Sequence, residues 1–162
     1  MKFYKSITTL FVLLCVAFAS NAQQINWTEV APGVWKGIVG KPEAYDLLKA
    51  SGATPNKDAL SKIVASAFPF VQSDIAGTIA DGKTFLRFPL EKEEQLYGFG
   101  LNFQTVHQRG KILQLHMDHY GGKDNGRTHA PVPFYVSSKG YGVFINSARY
   151  INVYAGTASV QR

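Results

Sequence analysis

The sequence predicts an all-β protein, an antiparallel β-sandwich, and three observations predict it. Apolar and polar residues alternate with period two in short segments. The clearest is Lys111 to Asp118, where Leu113, Leu115 and Met117 share one side and Gln114, His116 and Asp118 the other. Thr84 to Phe88 is a strand-like segment before it, and Phe134 to Ser137, Gly142 to Asn146 and Tyr150 to Tyr154 follow it at short spacing. Turn residues such as Gly140 and Asn146-Ser147 separate them. Such short connections suit antiparallel pairing, because a parallel pair needs a long crossover between its strands.

The chain opens on an export signal. Lys2 and Lys5 precede an apolar run from Ile7 to Phe18, and Ser20-Asn21-Ala22 offers small residues for cleavage. The run is shorter than the roughly 20 residues that span a bilayer. Leu14 before Cys15 lacks the small residue of a lipoprotein site. The expectation is cleavage after residue 22 and export to the periplasm or outside the cell, with no membrane attachment afterwards. Cys15 is the only cysteine, so the mature chain has neither a disulfide nor a thiol nucleophile. Removing 22 of the 162 residues leaves 140, enough for one core.

Within 23–162, Trp27, Val30, Val34 and Trp35 flank Pro32-Gly33 and predict a first strand pair. One or two short helices are expected near 43–66. Pro42-Glu43 starts the first, through Leu48. Asn56 caps a second over Lys57 to Ala65, with Leu60, Ile63 and Val64 on one face. The strand pattern stops at Gly156 without a terminal signal, so the chain is expected to be the front part of a longer protein.

Composition excludes little but points away from nucleic acid. The formal net charge of +6 falls to +4 once Lys2 and Lys5 leave with the signal, and the basic residues are scattered singly among acidic ones.

The residues with most chemical potential lie in the loop from His116 to Pro131. Asp118 ends a strand beside glycines, where a carboxylate can grip a ligand hydroxyl. The plainer role is a solvated strand end. His119, Tyr120, Arg127 and His129 accompany it. His116, Asp118 and His119 lack metal-ligand spacing, and Asp124-Asn125-Gly126 lacks the pattern of a calcium loop, so no metal or other cofactor is expected. Glu91, Glu93 and Glu94 crowd one short segment and cannot flank a glycosidic bond, which leaves them as a solvated turn. No Gly-x-Ser-x-Gly elbow occurs.

Three elements then resemble glycoside hydrolase family 31. Tyr97-Gly98-Phe99-Gly100 with Phe103 is similar to its Y-G-x-G-E element. Pro133-Phe134-Tyr135-Val136-Ser137, continuing through Gly140-Tyr141-Gly142-Val143 to Asn146, looks like its P-F-Y-x-S-x-R-G-Y-G-V element. His116-Met117-Asp118 sits where the family has Asn-Arg-Asp. The resemblance covers roughly Thr84 to Gly156. It implies a galactose-mutarotase-like sandwich placed before a TIM barrel, in a retaining α-glycosidase whose two catalytic aspartates belong to the barrel. No catalytic residue is then expected in this chain. Its partners would be an oligosaccharide or α-glycoside and the barrel. Asp118 matches the Asp that a sandwich loop lends to the sugar pocket, with His119 and Tyr120 beside it. Leu101 replaces the usual Glu, and His116-Met117 the usual Asn-Arg, which changes the polar contacts available there. The alternative is a stand-alone carbohydrate-binding module without hydrolase activity, using Trp27, Trp35 or Tyr120 against sugar rings.

Overall fold

A computed structural model describes residues 25–157 apart from 55, 57, 59–60, 63, 102–104 and 118–126. Among these residues the regular structure is mostly short strands in antiparallel pairs, joined by turns and loops, with little helix. The strands are β1 (Asn26–Ala31), β2 (Val34–Ile38), β3 (Ala76–Ala80), β4 (Lys83–Arg87), β5 (Leu96–Gly100), β6 (Lys111–Met117), β7 (Arg127–Thr128), β8 (Pro131–Ser137), β9 (Gly142–Phe144) and β10 (Ile151–Ala155).

The chain divides into two compact units. One holds the chain up to Lys41 together with Phe70–Phe88. It consists of two hairpins, β1–β2 and β3–β4. The first turns at Pro32-Gly33 as expected: Gly33 has φ 71°, and its N–H donates to Glu29 Oε1 at 3.0 Å. Ile25 and Ile75 are buried. A side chain at Gly77 would meet Val39 Cγ2 at 2.9 Å, so the glycine lets the two hairpins close on each other. Trp27 is half-buried and lies over Gly37, where a Cβ would sit 3.0 Å from its ring.

The other unit, Pro42–Pro69 with Pro89–Arg162, contains two three-stranded sheets in the orders β10-β6-β7 and β5-β8-β9. Their inner faces share one core of Leu96, Phe99, Leu113, Leu115, Tyr135 and Ala155. The period-two reading of 111–117 holds at Leu113 and Leu115, exposed 1% and 4%. It fails at Met117, the last residue of the strand, which is 66% exposed. The pairing is antiparallel throughout except for β7, which runs parallel to β6 over two residues.

One short helix, α1 (Leu47–Ala50), falls within the insertion expected near 43–66. It starts later than Pro42-Glu43. Asp46 is the N-cap, accepting the Leu48 and Lys49 N–H groups at 3.0 and 3.3 Å, and satisfies donors that Glu43 is too far back to reach. Glu43 instead accepts from Ser147 Oγ, Ala148 N and Arg149 Nε in the β9–β10 loop. Asn146 Nδ2 in turn donates to Asp46 at 3.1 Å. Asn56 Oδ1 accepts the Asp58 N–H at 3.1 Å, the bond expected of a cap. Leu60 and Ile63 lie outside the described residues, and Val64 is 88% exposed rather than packed.

Candidate functional site

Two features of the second unit bear on function, a strand end and a buried carboxylate. The strand end is that of β6. Hydrogen bonding to β10 fixes β6 with Ile151 opposite Leu115 and Ala155 opposite Lys111. Leu113 and Leu115 point into the core, so Ile112, Gln114 and His116 point out. His116 Nδ1–H donates to the Met117 carbonyl at 3.2 Å, an acceptor that sets the ring's tautomer. Its ring stacks on Tyr150 with centroids 4.7 Å apart and planes tilted 33°. The chain leaves β6 at Met117 and is next described at Arg127, in β7 alongside Gln114. Asp118, His119 and Tyr120 lie in the intervening stretch, outside the described residues. The described elements thus root this loop in a strand at each end. His129 follows β7, half-buried, in the turn before β8.

The carboxylate is Glu94, and here the structure corrects the sequence reading of a solvated acidic turn. Glu94 is only 2% exposed. Its Oε1 accepts the hydroxyls of both Ser137 and Tyr141 in short hydrogen bonds. Its Oε2 accepts the Glu91 N–H at 2.9 Å. Arg109 Nη1 donates to the Glu91 and Glu94 carbonyls at 2.8 and 2.7 Å, which holds the turn in place. Glu91 itself remains at the surface, paired with Lys139.

Burial pushes the Glu94 carboxyl up, but the Ser137, Tyr141 and Glu91 hydrogen bonds and the Lys139 charge outweigh it. The group is held below the ordinary carboxylate range. The neighbouring phenols move the other way. Burial, then the bond to the Glu94 carboxylate, raises Tyr141 well above the usual phenol; burial and the Glu94 charge do the same to Tyr135. A buried, ionised carboxylate that accepts three hydrogen bonds and lies among neutral phenols presents neither a lone pair nor a mobile proton to a substrate. Glu94 is a framework group. A signal for it lay in Ser137 and Tyr141, two hydroxyls flanking one turn, which require an acceptor once that turn packs down.

The Tyr97-Gly98-Phe99-Gly100 element is also framework. A Cβ at Gly98 would meet Phe134 O at 2.7 Å, and one at Gly100 would lie 2.9 Å from Pro131 Cα and Val132 N. The pairing register slips between Gly98 and Gly100, and Phe99 takes φ 65°. That bulge turns Phe99 to the same side as Leu96, fully into the core, with its ring centroid 5.0 Å from that of Tyr135. Leu101, where the resemblance has Glu, is 48% exposed. No group of three or more His, Cys, Asp or Glu side chains able to hold a metal occurs among the described residues.

A family model described as the glycosyl hydrolase 31 N-terminal galactose mutarotase-like domain matches residues 47–153. The chain is 30% identical over 70 residues to the alpha-xylosidase XylQ of Lactiplantibacillus pentosus, across 43% of this chain and 9% of that protein. It is 33% identical over 57 residues to an isomaltosyltransferase of Sporosarcina globispora, across 35% of this chain and 5% of that one. It is 35% identical over 65 residues to an alpha-xylosidase of Emericella nidulans, across 40% and 8%. The aligned stretches thus span less than a tenth of each relative. The matched residues run from α1 to β10 and take in the glycine bulge, the Glu94 knot and the root of the Asp118 loop, and the chain belongs to the glycosyl hydrolase 31 N-terminal domain family.

Proposed function

We propose that this chain is the N-terminal β-domain of an exported retaining α-glycosidase. It packs on a downstream TIM barrel that carries the catalytic aspartates, and it lends the loop after β6 to the sugar pocket. The observation that carries this reading is the family match across the sandwich, with the β6–β7 loop rooted at the position of the expected sugar-contacting Asp. Within that loop Asp118 binds a hydroxyl of the bound sugar, and His119 and Tyr120 line its approach. Glu94, the buried member of the acidic run, is occupied in framework bonds, which supports placing bond cleavage outside this chain. Two of the three relatives are named alpha-xylosidases, which makes an α-xyloside the first substrate to try.

The test is steady-state kinetics on the protein from its full reading frame. Asp118→Ala is expected to lower kcat/KM by roughly 1.5–3 kcal/mol, the loss of a hydrogen bond to a charged group. An unchanged kcat/KM removes the loop from the sugar pocket. Hydrolysis by residues 23–162 alone overturns the placement of catalysis elsewhere.

A further inference from the structure

The outer face of β10 and β6 is unlike an ordinary solvated strand pair. Ile151, Val153 and Ala155 turn toward the core, so Tyr150, Asn152 and Tyr154 face outward beside Ile112, Gln114 and His116. The register sets Asn152 opposite Gln114 and Tyr154 opposite Ile112, while the Tyr150 and His116 rings stack. Tyr150 is 84% exposed and Tyr154 57%. None of the six side chains is Lys, Arg, Asp or Glu, although those types make up 17% of the sequence. The face therefore has an aromatic pair at one end, an amide pair in the middle and an exposed ring at the other end. Tyr150 and Tyr154 are four residues apart, roughly 13 Å along a strand.

We propose that this face binds an extended oligosaccharide. A sugar ring lies on each tyrosine, and the Gln114 and Asn152 amides bond the hydroxyls between them. Amides suit that middle position because each both donates and accepts, as a hydroxyl does. The paired strands fix the backbone of Ile112, Gln114, His116, Asn152 and Tyr154, and the His116 ring lies against Tyr150, so the order of the groups along the face is set before binding. A protein partner fits less well, since its apolar centre would leave the two amides unpaired. The outer face of β8–β9 shows the contrast: Val132, Phe134, Val136 and Phe144, 38–47% exposed, are apolar without interruption. The choice of a sugar rests on the glycosidase reading above, but the residues are separate from Asp118. His116, two positions before it, makes the face continuous with the root of that loop.

Calorimetry of the protein from its full reading frame with maltoheptaose, isomaltoheptaose and a xyloglucan heptasaccharide tests the proposal. At least one is expected to bind, with Tyr150→Ala and Tyr154→Ala each weakening it about tenfold and Tyr150→Phe retaining it. Melting temperatures should stay unchanged. No binding by any of the three, or equal affinity in the alanine variants, overturns the proposal. Loss of binding together with a lowered melting temperature or new aggregation assigns the face to protein packing and also overturns it. Asp118→Ala separates the two readings. Should it leave hydrolysis intact while the tyrosine variants weaken binding, the loop assignment fails and the face stands.

Discussion

Replacing Glu94 with alanine is expected to lower the unfolding free energy by about 3–5 kcal/mol, the range for removing one partner from a buried charged network. The variant strands three donors at once: the Ser137 hydroxyl, the Tyr141 hydroxyl and the Glu91 N–H. Each lone buried donor costs about 1–3 kcal/mol, with water entering the vacated space recovering part of it. The damage would spread, because Glu94 joins the start of β5 to the β8–β9 turn. Gln95 N–H donates to Ser138 Oγ at 3.0 Å and Ser138 N–H to the Gln95 carbonyl at 2.9 Å, bonds that depend on the same alignment. Urea unfolding checks the value, and an unchanged slope with denaturant shows that the folded state is otherwise retained. A loss below about 1 kcal/mol would mean that the hydroxyls find other acceptors.

The same group sets a pH dependence at each end of the scale. The folded carboxyl titrates below its ordinary value of 4.5, so the charged network stabilises fully above that value. Its contribution falls away as pH drops through the depressed folded value. Glu94→Gln should therefore flatten the stability curve below pH 4.5 while costing about 1–2 kcal/mol at neutrality, where its amide N–H₂ opposes the Glu91 N–H. At the alkaline end the sign reverses. Tyr141 and Tyr135 have raised values, so the stability tied to their neutral phenols is complete below pH 10 and is lost as pH rises beyond it. Equilibrium unfolding followed from pH 3 to 11 reads both arms.

How much of this was legible in the sequence depends on whether a residue's fate was local. Strands β4, β6, β8, β9 and β10 follow from alternation and turn residues, which are properties of a few neighbours. The Pro32-Gly33 hairpin is likewise local. α1 starts later than the sequence suggests because Pro42 is a permissive first-turn residue but Asp46 has the competent cap geometry and binds the backbone donors. The burial of Glu94 is not legible locally because its two hydroxyl partners, Ser137 and Tyr141, are more than 40 positions away. A run of acidic residues gives no local sign of which one will be buried. The parallel placement of β7 depends on where a loop returns, which no pattern within β7 encodes. For the site, family motifs located the strand end, yet the same motifs are mostly framework: the glycines admit backbone, and Ser137 and Tyr141 serve Glu94.

Gly100→Ala is expected to cost about 2–5 kcal/mol, and it tests whether the glycine motif is structural. Two costs combine. Gly100 has φ 99°, a region that costs a residue with a Cβ about 1–2 kcal/mol. The new Cβ would also press on the Ala130 carbonyl oxygen and sit 2.9 Å from Pro131 Cα and Val132 N. All three are backbone atoms, so no side chain can rotate away. β8 must shift, adding about 1–3 kcal/mol of overpacking. Because β8 carries Tyr135 into the core against Phe99, the shift would loosen a ring contact between adjacent strands that forms one wall of the core. Gly52 makes the control, since it too has positive φ (63°) but a Cβ there meets nothing within 4 Å. Gly52→Ala should therefore lose only the conformational part, about 1–2 kcal/mol. The difference between the two variants isolates the clash with β8. Equal losses would place the cost of the motif in backbone conformation alone and leave the close approach of β5 to β8 without energetic weight.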